Sequence, residues 1–570
     1  MPSALDLRMD AIVGTLVAAG GPMAVDTVEQ NGLSLPVITV APPALPYYFA
    51  HFCAQHGAAD FLVTDDERLS FAAVYAQARA VAGALVDGFG VKRGDHVGIA
   101  ARNAPGWIVL YMGIVMAGGV ATLLNGWWQS NELADGIADT DTRLVFADPP
   151  RARRLADAPR AHGAEVVVID VALPIAEAVA PVMARGGGAE TALPQLTGAD
   201  DATILFTSGS TGQSKGAISD HRAVMQATFN YLVQTLMALE LVTQDGNPPT
   251  LQPATLLNVP LFHVTAEIPV LLQSFAMGRK LVLMPKWDAE EAMRLMEKEK
   301  ITYFVGVPLM SFEILNHPNR SRYDISTVAD FAAGGAPRPV EHVKRLKEEM
   351  GGAHPLIGYG LTETNAVGCG NFRDNYLAKP NSTGRASAPL VDLAILDDAG
   401  RPVPQGERGE ICIRSICNFR EYWKNPAATR AAYTDDGYFR SGDVGYLDAD
   451  GYLFMVDRKK DIIIRGGENI SCQEVEAAIY EHPAIVEVAV FGLVDERFGE
   501  VPGAVIALGE GEAIVPEALL AFLAERLAAF KLPARIWVSE TLLPKLGTEK
   551  IDKVSLRARY RAIAEAEAAG

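Results

Sequence analysis

The sequence predicts an α/β protein followed by a smaller α+β part, and three features of its texture say so. Residues 60–310 alternate short apolar runs with longer helical patterns, as parallel sheets covered by helices require. From about residue 390 the texture changes to short strands separated by turn residues, which suggests a small antiparallel or barrel-like unit. After Lys460 a compact stretch mixes helix and strand signals again. At 570 residues the chain is too long for one core, so about two to four domains are expected.

In chain order, the apolar run Ala11–Val25 follows only Arg8, flanked by Asp6 and Asp10, and Gly20-Gly21-Pro22 breaks it. That is not the pattern of a signal peptide. Arg93-Gly94-Asp95 leads into a strand at His96–Ala100. Trp107–Leu124 carries no charge and reaches the length of a membrane span, but Gly118-Gly119 divides it into a helix-like piece and the strand-like Val120–Leu124. It reads as a buried helix–strand connection. Val166–Ile169 and Ala202–Phe206 read as strands, and Asp288 with Glu291 caps a helix that carries Met293 and Met296 on one face. A buried strand is expected at Ile301–Val307. Beyond residue 390, strands are expected at Leu390–Leu396 and Gly409–Arg414, with a turn at Asp397–Gly400. The last part predicts a helix at Val475–Tyr480, strands at Ile485–Phe491 and Gly503–Leu508, an amphipathic helix over Pro516–Phe530, and a fraying helical tail at Ala562–Gly570.

Apolar residues make up 49% of the chain and charged ones 21%, as in an ordinary globular protein. A net charge of −19 argues against a nucleic-acid binder, which needs a positive field to displace counterions. Any polyanionic substrate must be held by local cations and backbone N–H groups. The five cysteines (Cys53, Cys369, Cys412, Cys417 and Cys472) are scattered, and the C-x4-C pair has no second pair or nearby histidines to make a zinc site. Sparse, odd-numbered cysteine suits a reducing cytoplasm, the expected location.

The most informative stretch runs from Ile204 to Gly216. A buried strand enters a loop of small and hydroxyl residues, Thr207-Ser208-Gly209-Ser210-Thr211-Gly212, and the loop ends with Lys215. Glycines let N–H groups converge on an anion without Cβ clashes, and hydroxyls add donors. Lys215 supplies a point charge. A flexible linker would not leave a buried strand directly or carry a lone Lys. A Walker A loop needs Gly before the Lys and Ser or Thr after it, whereas Ser214 and Gly216 flank Lys215.

Thr207–Gly216 resembles the T-S-G-[ST]-T-G-x-P-K-G signature of the acyl-adenylate-forming superfamily, with Ser214 where Pro is usual. That family includes fatty acyl- and aryl-CoA synthetases, peptide-synthetase adenylation domains and firefly-type luciferases. Further motifs follow in the family's order, so the resemblance covers roughly residues 45–557. Gly334-Gly335-Ala336-Pro337 resembles the adenine-contacting segment. Tyr359-Gly360-Leu361-Thr362-Glu363 resembles Y-G-x-T-E, which implies Tyr359 against adenine, Thr362 on phosphate and Glu363 on Mg²⁺. Asp443 and Arg458 resemble the ribose-binding pair, and Lys460 falls at the family's interdomain hinge. Gly466 and Gly467 lie in a G-G-E-N-I element that borders the pantetheine tunnel of CoA ligases. Pro544–Lys550 resembles P-x-x-x-[TS]-G-K and implies Lys550 as the catalytic lysine, with Glu549 where Gly is usual. Lys545 and Lys553 fall outside that motif and read as solvent-facing. Phe262 and His263 resemble the segment that gates the acyl tunnel.

The resemblance implies two helix-covered sheets and a small β-barrel-like subdomain in an N-terminal adenylate-forming domain (1–458). A small mobile α+β C-terminal domain (459–570) would carry Lys550. It implies ATP, coenzyme A and Mg²⁺, and a small-molecule carboxylic acid, fatty or otherwise apolar, converted to acyl-AMP and then acyl-CoA. No nucleic acid and no integral membrane segment is expected; a homodimer is compatible. Three alternatives stay open. A stand-alone adenylation enzyme would load a carrier protein in trans, although only about a dozen residues follow the last matched segment. A luciferase-type oxygenase would share the first half-reaction. A degenerate nucleotide-binding regulator is suggested by Glu549 and opposed by the retention of Lys215, Glu363, Asp443, Arg458 and Lys550.

Overall fold

A computed structural model describes residues 2–207, 214–335, 338–459, 461–465, 468–546 and 550–569. The chain forms two compact units. Of the described residues, the first comprises those within 2–207, 214–393 and 413–439, and the second those within 394–412 and 440–569.

Two sheets dominate the first unit. In the seven-stranded sheet, Asp201–Phe206, Val120–Leu123, His96–Ala100, Leu144–Ala147 and Glu165–Val168 run parallel in that order. Gly216–Asp220 pairs antiparallel on the outer side of Asp201–Phe206, and Glu421–Tyr422 completes that edge. In the nine-stranded sheet, six strands run parallel: His354–Gly360, Asp330–Gly334, Tyr303–Gly306, Ala254–Leu257, Lys280–Leu283 and Asp60–Val63. Antiparallel strands flank them, Gly368–Phe372 with Arg385–Ala386 at one end and Arg68–Ser70 at the other.

The uncharged stretch after Ala104 forms the helix Pro105–Met116 and the strand Val120–Leu123, as expected. Every residue of that helix is buried, which explains why its sequence is apolar all round. Gly118, at φ +83°, makes the turn between helix and strand. Ala11–Val25 is the end of the helix Ala4–Val17 followed by a turn; Ile12 packs on Met237 and Leu241. No helix among the described residues is long and apolar enough to cross a membrane.

The small unit expected beyond residue 390 takes the form of a four-stranded sheet, in the order Asp392–Leu396, Gly409–Arg414, Phe439–Leu447 and Leu453–Arg458. Further on, a second sheet runs in the order Glu468–Ile470, Ile463–Arg465, Gly499–Leu508 and Ile485–Asp495, with Arg535–Ser539 parallel to Gly499–Leu508. Helices Cys472–Tyr480 and Pro516–Ala524 share one apolar cluster with this sheet, through Val475, Ile479, Leu519 and Leu523. Leu556 and Tyr560 of the helix Lys553–Ala569 share another with Ala489, Phe491 and Val505. The helix expected over Pro516–Phe530 stops at Ala524. Leu527, Phe530 and Leu532 turn into the core instead, and a short helical turn at Ala529–Lys531 leads to Pro533 and the next strand.

Candidate active site

The strands on either side of the glycine- and serine-rich segment pair antiparallel. The hydrogen bond from Thr207 N to Lys215 O, 3.0 Å, lies at the end of that pair, Asp201–Phe206 and Gly216–Asp220. Ser208, Gly209, Ser210, Thr211 and Gly212 lie outside the described residues. The Lys215 ammonium stands 4.9 Å from the centre of the Tyr422 ring, a cation–π distance.

Gly334 and Tyr359-Gly360 sit at the carboxyl ends of two adjacent parallel strands, with Gly334 opposite Gly358. In open α/β sheets that edge is where ligands bind. Gly335 takes the left-handed conformation at φ +74°; Ala336 and Pro337 lie outside the described residues. Tyr359 is buried. A Cβ on Gly360 would lie 1.9 Å from the Ala366 carbonyl oxygen, so only glycine fits there. Immediately after it, Thr362–Thr364 form one 3₁₀ turn, which carries Glu363 inward. Asn365 closes the turn in the left-handed region at φ 48° and is fixed by its amide, which donates to Cys417 O at 2.8 Å.

Glu363 is 8% exposed. The Tyr422 hydroxyl donates to its Oε1 at 2.6 Å, and the Phe419 N–H donates to its backbone carbonyl at 2.7 Å. Burial, then the charge of Glu363, pushes the hydroxyls of Tyr422 and Tyr433 well above their ordinary range. Tyr422 therefore stays a donor, with one end on Glu363 and its ring under Lys215. Tyr422 was not among the residues singled out in the sequence. It lies 59 positions from Glu363, on a two-residue edge strand, and carries no motif.

Phe262 is buried, and His263 caps the short helix Val264–Ala266. Its Nδ1 lies 3.3 Å from the Thr265 N–H and 3.1 Å from the Thr265 hydroxyl. Asn103 holds the preceding turn, donating to Val259 O at 2.8 Å and accepting from Leu261 N at 2.9 Å. A π-helical stretch, Glu267–Leu272, follows. The Glu267 carboxyl is fully buried, accepts from the Tyr111 hydroxyl at 2.8 Å, and is pushed up to about 7 by burial.

In the second unit, Asp443 and Arg458 face each other across the hairpin Phe439–Leu447 and Leu453–Arg458. Arg458 Nε stands 3.7 Å from Asp443 Oδ1; the carboxylate is buried and the guanidinium is exposed. Ser441 donates to Ile411 O at 2.6 Å and accepts from Asp443 N at 3.0 Å, fixing the bend before Asp443. Lys550 belongs to the same cluster. Burial and the Arg458 charge push its ammonium down to about 8, against the opposing pull of Asp443. The segment that carries it folds back on itself: Leu546 N donates to Lys550 O at 2.7 Å and Asp552 N to Pro544 O at 2.8 Å.

The expectation that Lys545 and Lys553 face solvent is corrected. Lys545 is ion-paired with the buried Glu487 at 3.0 Å, and Lys553 with the buried Glu476 at 2.6 Å. Both are half-buried, because their carboxylate partners need a cation once water is removed. Of the three lysines, Lys550 is the one grouped with Asp443 and Arg458. Lys460, Gly466, Gly467 and Glu549 lie outside the described residues.

Comparison with known proteins places the chain in a family. The family model described as AMP-binding enzyme matches residues 49–423, and that of the AMP-binding enzyme C-terminal domain matches residues 474–550. A long-chain-fatty-acid–CoA ligase, FadD13 of Mycobacterium tuberculosis (strain ATCC 25618 / H37Rv), is 31% identical over 87% of this chain and 94% of its own. A feruloyl-CoA synthase of an Amycolatopsis species is 33% identical over 83% of this chain and 90% of its own. Among solved structures, ATP-bound MatB from Rhodopseudomonas palustris superposes with a TM-score of 0.81 at 28% identity, covering 91% of this chain and 99% of that one. Glu363 at a parallel-sheet edge and Lys550 beside Asp443 thus sit in a chain matched at both ends, which belongs to the AMP-binding enzymes as an AMP-forming acyl-CoA synthetase.

Proposed function

We propose that the chain activates an apolar carboxylic acid, fatty or aromatic, with Lys215, Glu363 and Lys550 as the charged groups of the first half-reaction. ATP and coenzyme A are the co-substrates of the family. The observation that carries the reading is the Lys215–Tyr422–Glu363 chain, which joins a phosphate loop to a buried carboxylate. The acid needs no general base, since carboxylates are ionised at neutral pH. Its oxygen attacks the α-phosphorus of ATP, the bond to the β-phosphate breaks, and pyrophosphate leaves through the loop Thr207–Lys215. Lys550 offsets negative charge as it develops on the reacting phosphate. Asp443 accepts from the ribose hydroxyls, with Arg458 beside it; Gly334 to Pro337 and Tyr359 frame the adenine.

One carboxylate beside a threonine hydroxyl suits Mg²⁺, which keeps waters and phosphates as its other ligands. Glu363 and Thr362 would hold it, and it would supply charge neutralisation on the phosphates. In the second half-reaction the thiol sulfur of coenzyme A attacks the acyl carbonyl carbon, the thiol proton goes to solvent, and AMP leaves. Gly466 and Gly467 are the proposed pantetheine border, His263 and Phe262 the acyl gate. Lys460 is the proposed hinge between domains 1–458 and 459–570, and the cytoplasm the proposed location. The apolar acid is supported by the fatty and aromatic acids in the names of the relatives. A pyrophosphate-release screen over short dicarboxylic, fatty and hydroxycinnamic acids tests it. Preference for the dicarboxylic acids would overturn it.

A further inference from the structure

The segment that carries Lys550 is held at both of its feet by lysines on buried carboxylates. On the incoming arm, Glu487 of the strand Ile485–Asp495 is 3% exposed. It accepts from Leu543 N at 2.6 Å through Oε2, and pairs with the Lys545 ammonium at 3.0 Å through Oε1. On the outgoing arm, Lys553 opens the last helix and pairs with Glu476 at 2.6 Å. Glu476 sits on the helix Cys472–Tyr480 and also accepts from Val490 N at 2.7 Å. The start of that helix is tied to the strand bearing Arg458, because Gln473 N donates to Asp457 at 3.3 Å. Lys553 is thus connected through one helix to the residue next to Arg458, and Lys550 lies three residues before it.

Buried ion pairs seldom stabilise a fold more than apolar residues of the same size would; what they add is a defined position. Two such pairs, at Lys545 and Lys553, flank Lys550 in the chain and restrict where its backbone can stand. We propose that Lys553 with Glu476, and Lys545 with Glu487, are positioning residues that hold Lys550 in register with Asp443 and Arg458 for acyl-adenylate formation. This rests on the reading that Lys550 acts in that half-reaction.

The test measures ATP–pyrophosphate exchange, thioester formation from preformed acyl-adenylate, and the melting temperature for each variant of the full chain. Lys553→Met should slow exchange about ten- to a hundredfold, the scale of a misplacement near 1 Å, while thioester formation stays within about twofold. Lys553→Arg should restore most of the exchange rate. In a Lys550→Ala background, Lys553→Met should add no further loss, because its whole effect passes through Lys550. If Lys553→Met does not fold, Lys545→Met undergoes the same three measurements. Equal slowing of both half-reactions, additive loss in the Lys550→Ala background, or parental exchange in a folded variant would each overturn the proposal. If Lys550→Ala alone exchanges at the parental rate, the role given to Lys550 fails first, and the positioning role falls with it.

Discussion

Tyr422 gives the clearest statement at the scale of single residues, because its hydroxyl and its ring meet different partners. Tyr422→Phe removes the donor to Glu363 and keeps the ring under Lys215. A hydrogen bond to a charged group contributes roughly 1.5–3 kcal/mol, so ATP–pyrophosphate exchange should fall about ten- to a hundredfold or slightly more. Tyr422→Leu, which removes the ring too, should fall further. Exchange at the parental rate in Tyr422→Phe would show the hydroxyl to be idle. Lys550 predicts a pH dependence. Burial and Arg458 push its ammonium down to about 8 from an ordinary 10.5, so exchange should decline as pH rises through about 8. Lys550→Arg should remove that limb, since a guanidinium keeps its proton. The same shift has a sign for stability. Between the two values the unfolded chain binds the extra proton, so the burial cost is fully present below pH 8 and is relieved as pH rises towards 10.5. Lys550→Met should therefore raise the melting temperature at pH 7 more than at pH 10. Lys550 itself was legible as a motif position. The pairing of Lys545 and Lys553 was not, since Glu487 and Glu476 lie 58 and 77 residues away from them and no local pattern links them. Tyr422 escaped for the same reason: a long-range contact leaves no spacing to read.

Elements were legible where a local rule decides them. His96–Ala100 and Gly409–Arg414 are strands over the expected residues, and Asp288 caps its helix by accepting from Glu291 N at 2.9 Å. Period-two and capping signals act within a few residues, so one sequence suffices. Extents set by packing were read less well. Pro516–Phe530 keeps helical spacing to its end, yet the helix stops at Ala524, because Leu527 and Phe530 are drawn to the core from a turn. The antiparallel strand Gly216–Asp220 was not expected, since a sequence of five residues with two apolar side chains gives little alternation. Its consequence is that Thr207 and Lys215, on the two sides of the glycine- and serine-rich segment, are held together by an antiparallel strand pair. The strand end at Gly360 supports a prediction on this scale. Gly360→Ala places a methyl 1.9 Å from Ala366 O, and the neighbour is backbone, which cannot step aside cheaply. The turn Thr362–Thr364 would shift, costing about 1–3 kcal/mol by the usual scale of overpacking, and carry Glu363 with it. Chemical denaturation and pyrophosphate exchange should both register the change; stability lost with exchange intact would separate the turn from the site.

At the scale of the whole molecule, the charged groups are shared out: Lys215 and Glu363 belong to the first compact unit, and Asp443, Arg458 and Lys550 to the second. Domain alternation of the kind the family resemblance implies turns that division into a prediction about half-reactions. If Lys550 acts only in the first, as proposed, Lys550→Ala should depress pyrophosphate exchange by about two to three orders of magnitude, the scale for deleting one charge stabiliser of a transition state. The same variant, given preformed acyl-adenylate and coenzyme A, should form thioester near the parental rate. Lys460→Pro should behave conversely. A proline ring fixes φ near −65°, so a hinge at that residue loses the torsion it needs after adenylation. Exchange should persist in Lys460→Pro while thioester formation fails, and acyl-adenylate should accumulate on the protein to about one equivalent, detectable after acid quench. Lys460→Gly, which frees the torsion, should restore turnover. If Lys460→Pro instead slows both halves alike, the hinge lies elsewhere. If it slows neither, thioester formation proceeds without rotation at this residue, and the domain-alternation account does not hold for this chain.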